Sequence, residues 1–124
     1  MGTISLWVVL AILLIHWIAD FILQTDEEAK GKSSSWRCLL SHTLTYSFVF
    51  FIASLMYGAV DYNVRFLLFS PITFIAHTAT DYYTSRVNAQ LWKEQRTHAF
   101  FVSVGFDQLL HFAQLLITFQ LLTK

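Results

Sequence analysis

Charge is scarce in this chain. Only 13% of its 124 residues are Asp, Glu, Lys or Arg, against about 25% in an ordinary soluble domain. Eight basic residues balance eight acidic ones, so there is no broad basic surface of the kind that holds nucleic acid, and no nucleic-acid partner is expected. A single cysteine, Cys38, excludes an intrachain disulfide and a thiolate metal cluster. Repeats of solenoid length and low-complexity tracts are absent, apart from the short patch KGKSSS at 30–35. Polar helix faces are missing too. Stretches such as LWVVLAILLI and FFIASLMYGAV offer no hydrophilic stripe, which argues against a soluble helical bundle.

What is present is apolar. The composition is 56% hydrophobic and 17% aromatic. Four segments, at about 3–24, 36–60, 66–85 and 99–122, each approach the roughly 20 apolar residues that span a bilayer. The expected fold is all-α: one membrane domain over residues 1–124, an integral membrane four-helix bundle with four transmembrane helices. The first segment lacks a basic n-region and carries His16 and Asp20 where a cleavage site would lie, so it is expected to be retained. Lys30, Lys32, Arg37, Arg86, Lys93 and Arg96 fall on the first and third connections, whereas only Arg65 and Lys124 fall on the other side. Cytoplasmic loops carry the Lys/Arg excess, which predicts both termini outside and loops one and three inside, in a bacterial inner membrane.

Every segment also carries ionisable groups deep in its apolar run: His16 and Asp20, His42, His77 and Asp81, Asp107 and His111. An Asp at the centre of a membrane helix costs about 2.5–3.5 kcal/mol on insertion scales. Such groups are expected to face the bundle interior and to serve function. Direction sharpens this. The first and third segments read H-x-x-x-D, and the antiparallel fourth reads D-x-x-x-H. At about 1.5 Å per residue, antiparallel packing sets Asp20, Asp81 and Asp107 in one layer. His16, His77 and His111 form a second layer one turn deeper, and His42 comes within reach of the aspartates.

Imidazole and carboxylate are ligands for a divalent metal, zinc first, with manganese or iron as alternatives. Helix bundles hold such ions with inward groups at i and i+4. The predicted ligands are His16, Asp20, His42, His77, Asp81, Asp107 and His111. Seven exceed one tetrahedral shell. They fit two bridged ions, or one ion with an open position and spare acid/base groups. A metal-free His–Asp network, a proton relay and haem ligation by two histidines are the alternatives. Gln24, Ser70, Thr73, Ser103, Gln114 and Thr45 could orient the ligands, or bond their own helix backbones.

Outside this set, Lys30 and Lys32 beside three serines could hold a lipid phosphate, or form an ordinary positive-inside loop with a serine capping the helix at Trp36. His98 reads as an interfacial side chain. Pro71, about one turn into the third segment, could kink it.

HWIADFILQTDEEAKGKS, SH at 41–42, HTATDY and DQLLH resemble a family of small bacterial and phage-borne membrane proteins, the domain of unknown function numbered 3307. Its pattern falls here on His16, Asp20, Phe21, Gln24, Lys30, His42, His77, Asp81, Asp107, Gln108 and His111. The resemblance covers nearly the whole chain and implies a four-helix membrane protein without a known activity. A looser likeness of site chemistry exists to the ceramidase and adiponectin-receptor group of membrane hydrolases.

The expected function is a metal-dependent intramembrane hydrolase of a lipid or lipid-linked substrate. Asp20 or Asp107 would act as general acid or base, and Gln24, Lys30, Lys32 and Gln108 would bind substrate. Membrane lipid is then the partner, and a homo-oligomer or a membrane-protein partner is compatible. Two alternatives use the same residues: a divalent-cation or proton transporter or channel subunit, and a non-catalytic interaction protein with a structural metal or polar network.

Overall fold

A computed structural model describes residues 2–124. The described residues form helices and no strand. These are α1 (Leu6–Trp17), α2 (Asp26–Gly31), α3 (Trp36–Asp61), α4 (Phe69–Lys93) and α5 (Thr97–Leu122). Two irregular turns extend them: a π-helical turn, Ile18–Ile22, continues α1, and a 3₁₀ turn, Val64–Leu68, leads into α4. Among the described residues, α3 and α5 are long and apolar enough to cross a membrane, while α1 with its π turn is a shorter apolar helix.

Local chemistry sets the boundaries. Ser35 caps α3 by accepting the Cys38 N–H, the role expected of a serine before Trp36. Thr25 and Glu28 form a reciprocal capping box: Thr25 Oγ1 accepts the Glu28 N–H at 3.1 Å, and Glu28 Oε2 accepts the Thr25 N–H at 3.0 Å. Part of the first loop is therefore helical. Pro71 stands in the first turn of α4, where its missing N–H leaves no gap in the ladder. The third segment runs past its expected end at 85 to Lys93. Arg86 and Lys93 accordingly lie on a helix, and the last connection shrinks to residues 94–96. Gln95 makes this tight turn in the left-handed region, at φ 57°.

The interior is layered along the bundle axis. Near the termini, Ile12, Phe50, Phe66, Phe69, Leu115, Phe119 and Leu122 build an apolar core. Phe66 packs against Phe119 and edge-on to Tyr57, with centroids 5.5 and 4.8 Å apart. Chain ends are tied in by Asn63, whose amide donates to the Leu122 carbonyl, and by Gln120, which donates to the Gly2 carbonyl. Toward the other end the interior turns polar: His16, Asp20, His42, His77, Asp81, Asp107 and His111 are all buried.

The outside reverses the usual distribution. Trp7, Leu14, Phe48, Met56, Ile75, Phe101, Leu109 and Ile117 are each more than half exposed. Soluble monomers rarely expose contiguous apolar surface on this scale.

The short helix α2 lies tight on α3. A Cβ on Gly31 would stand 2.5 Å from Cys38 Sγ and 3.1 Å from its Cβ. Gly31→Val is therefore expected to push α2 off α3, at a cost of about 1–3 kcal/mol. Denaturant unfolding in detergent micelles checks this, and an unchanged midpoint would mean that the contact yields freely.

Candidate metal centre

Four helical elements converge on the polar layer. α1 brings His16, its π turn brings Asp20, α3 brings His42, α4 brings His77 and Asp81, and α5 brings Asp107 and His111. The i, i+4 spacings on α4 and α5 put each His–Asp pair on one stripe. The π turn widens α1 at the point where Asp20 enters, and Leu23 N–H bonds Ile18 O across it at 3.0 Å. Such turns often mark functional sites.

Asp20, His42, His77 and Asp81 form one compact group of possible ligands, and Asp20, Asp107 and His111 form a second that shares Asp20. In the first, His42 Nε2 lies 2.9 Å from Asp20 Oδ1, 3.3 Å from Asp81 Oδ2 and 3.2 Å from His77 Nε2. His77 Nε2 lies 3.5 Å from each of the same two oxygens. Bonds of about 2.0–2.2 Å to a tetrahedral zinc would set neighbouring ligand atoms about 3.3–3.5 Å apart. Of the five edges, three come out at 3.3–3.5 Å, and the two at 2.9 and 3.2 Å would open by a few tenths of an ångström around an ion.

Hydrogen bonding alone serves these atoms poorly. The Nδ1 atoms of His42 and His77 are buried without partners, so each neutral ring brings only Nε2 to the shared contact. If one Nε2 donates to the other, that one N–H is already spent, and of the two carboxylate oxygens only Asp81 Oδ2 has a further donor, Lys32 Nζ. A cation at the centre of the four atoms meets all of their lone pairs together.

Asp107 lies to one side, and its Oδ1 accepts from the Thr84 hydroxyl. His111 Nε2 bridges 3.1 Å to Asp81 Oδ1 and 3.2 Å to Asp107 Oδ1, joining the two groups.

His16 differs from expectation. The Gln108 amide donates to Asp20 Oδ2 at 3.3 Å and to Asp107 Oδ2 at 3.2 Å, which turns its Oε1 toward His16 Nε2 at 2.7 Å. His16 Nε2 therefore carries the proton, and its Nδ1 accepts the Tyr46 hydroxyl at 2.7 Å. No lone pair is left for a metal, and His16 stands outside both groups of possible ligands. Gln108, expected to bind substrate, is likewise held by His16 and two carboxylates.

Lys32 reaches in from the turn after α2, and its Nζ donates to Asp81 Oδ2 at 2.9 Å. Burial alone would lower its ammonium, but the charges of Asp81 and Asp20 outweigh that and hold it above the usual lysine range. Burial would raise Glu28, yet the hydrogen bonds from Ser41 Oγ and the Thr25 N–H hold that carboxyl below its ordinary value. The clamp between α2 and α3 is therefore complete at neutral pH and weakens as pH falls through the lowered value. Lys30 remains exposed. Gln24 lines a recess beside Asp20, and His98 is exposed at the start of α5.

Two contributors escaped the sequence reading. Tyr46 is buried and stacks on His77 with centroids 3.8 Å apart at 11°. It falls one turn after His42, a spacing that was legible. Thr84 falls three residues after Asp81 on the same stripe. Thr45, one place before Tyr46, only bonds the Ser41 carbonyl of its own helix. Tyr46→Phe keeps the stack but strands the buried His16 Nδ1, and should cost about 1–3 kcal/mol. Thermal unfolding in detergent reads this cost, and an unchanged midpoint would rule the bond out.

The sequence profile of the family described as "Protein of unknown function (DUF3307)" matches residues 8–124. The chain belongs to that family, as its motifs suggested. Neither a curated protein nor a solved structure matches it.

Proposed function

We propose that this chain is a four-span integral membrane protein whose buried His/Asp cluster holds a divalent metal and hydrolyses an ester bond of a lipid or lipid-linked substrate. The observation that carries the proposal is the convergence of one ligand atom each from Asp20, His42, His77 and Asp81 at separations close to those around a tetrahedral ion. The apolar girdle around a polar interior supports the four spans, α1 with its π turn and α4 completing the pair α3 and α5. Lys/Arg placement supports loops one and three on the cytoplasmic side.

Zinc suits two imidazoles and two carboxylates best, with manganese or iron as alternatives. When bound, the metal would polarise the ester oxygen and lower the pKa of water toward about 7. Asp107 is the acid/base group. It stands outside the four-ligand group, and Thr84 and Gln108 fix its orientation. Water delivers hydroxyl to the acyl carbon or phosphorus, the ester bond breaks, and Asp107 passes the water's proton to the leaving oxygen. His16 and Gln108 hold Asp20 and Asp107 in register.

The test begins with elemental analysis of detergent-purified protein, followed by incubation with a phospholipid mixture and mass spectrometry of the products. The proposal predicts bound metal and release of a lipid fragment that a chelator stops. Protein that carries no metal, or turnover that chelation leaves untouched, would overturn it.

A further inference from the structure

Beside the cluster lies a recess of about 540 Å³, walled by the π turn, the turn after α2, the second half of α4 and the start of α5. Asp20, Gln108, Lys30 and Lys32 line it as well, with the Lys32 ammonium on Asp81 Oδ2. Three side chains on its wall carry buried polar oxygens without a partner: Gln24 Oε1, Ser85 Oγ and Asn88 Oδ1. A buried polar group left unpaired is costly, and native structures seldom leave several together unless something else meets them. Ser85 and Asn88 belong to no hydrogen bond that holds the bundle, and both residues line this space.

The chemistry of the wall selects the ligand. Two ammonium groups donate only, the serine hydroxyl donates or accepts, and the two amides can turn either end inward. The Lys32 ammonium keeps two N–H groups beyond the one on Asp81 and Lys30 keeps three, so the recess is rich in donors beside its one carboxylate, Asp20. An oxygen-rich anion fits such a wall. Phe21, Trp92, Phe100 and Val104 supply an apolar flank to the same recess, and Phe21 and Trp92 are themselves exposed on the outer surface. An inorganic anion has no use for that flank, whereas a lipid would lay its glycerol and first methylenes along it.

We infer that this recess binds the anionic phosphate headgroup of a membrane lipid, with the phosphate among Lys30, Lys32, Ser85 and Asn88 and the acyl chains leaving past Phe21 and Trp92. This rests on the metal-centre proposal only in making the bound lipid the substrate. Gln24 meets the hydroxyl or ester oxygens next to the phosphate, which brings the first ester bond toward Asp20.

The test uses full-length protein in detergent micelles and calorimetric titration with dihexanoyl phosphatidic acid, dihexanoyl phosphatidylcholine or inorganic phosphate. The phosphatidic acid should bind at least about tenfold more tightly than either of the others. Lys30→Gln and Asn88→Leu should each weaken it about tenfold, the loss expected for one charge-assisted or buried contact. Both variants should keep the metal content and circular dichroism of the parent. Equal binding of the phosphatidylcholine, equal binding of inorganic phosphate, or unaltered affinity in both variants would overturn the assignment. Loss of lipid binding with metal retained removes the recess alone. A parent that binds lipid but holds no metal removes the catalytic proposal and leaves the recess standing.

Discussion

Replacing His77 by alanine is expected to strip the metal from the protein and to remove the response of its unfolding to chelators. His77 is fully buried, and its Nε2 contacts three of the atoms that converge on the proposed ion. Loss of a group that only orients a ligand weakens metal binding about 10–100-fold, and loss of the ligand itself should exceed that. A metal present at about a thousand times its dissociation constant stabilises the folded state by about 4 kcal/mol. The parent should therefore unfold at a clearly lower temperature after chelation, and the variant should not respond. Removing an imidazole also leaves a void beneath Tyr46, so Asp81→Asn serves as the shape-preserving partner. Metal at the parental level in both variants would show that these four residues do not hold it.

Asp107→Asn is expected to do the opposite. The metal should stay, because Asp107 lies outside the four-ligand group, while lipid hydrolysis should fall about 10²–10⁴-fold, the usual contribution of a positioned acid/base group. The carboxylate accepts from Thr84 through Oδ1 and from Gln108 through Oδ2. An asparagine can accept through only one of its two ends, so a stability loss of about 1 kcal/mol should accompany the change. Metal content, unfolding midpoint and product release, measured on one preparation, separate the two effects. Hydrolysis at the parental rate would remove Asp107 from the chemistry.

The contrast between these variants follows from a feature visible in the sequence. H-x-x-x-D on the first and third segments and D-x-x-x-H on the fourth, which runs the opposite way, meet in shared layers if neighbouring helices pack antiparallel with their polar stripes inward. That told where the cluster would be. It could not tell which atoms of each side chain are already engaged. His16 was counted as a ligand because it shares a helix stripe with Asp20; the hydroxyl of Tyr46 and the amide of Gln108, distant in sequence, decide otherwise. Lys32 was expected to hold substrate or to sit in an ordinary positive-inside loop; that its long stem also carries the ammonium down to Asp81 could not be read from spacing.

Helix boundaries divide in the same way. Hydropathy marks where apolar sequence stops, and it ended the third segment at 85. The helix continues to Lys93 because TSRVNAQLWK contains no breaker, and helix formation does not depend on hydropathy. The T-x-x-E of Thr25 and Glu28 was a legible start signal within the first loop. The π turn had no such signal, since neither glycine nor proline lies within it.

That turn makes the centre sensitive to arithmetic as well as to chemistry. Between His16 and Leu23 the helix holds one residue more than a regular winding needs. Deleting Ile18 would let α1 close into an ordinary helix with every His, Asp and Gln of the chain retained. The deletion would also turn the His16–Asp20 pair from i, i+4 to i, i+3, rotating Asp20 about the helix axis by up to about 100° relative to His16 and off the point where both ligand groups now share it. Composition, hydropathy and the inventory of ligands would be almost untouched, and the carboxylate that both groups share would be gone.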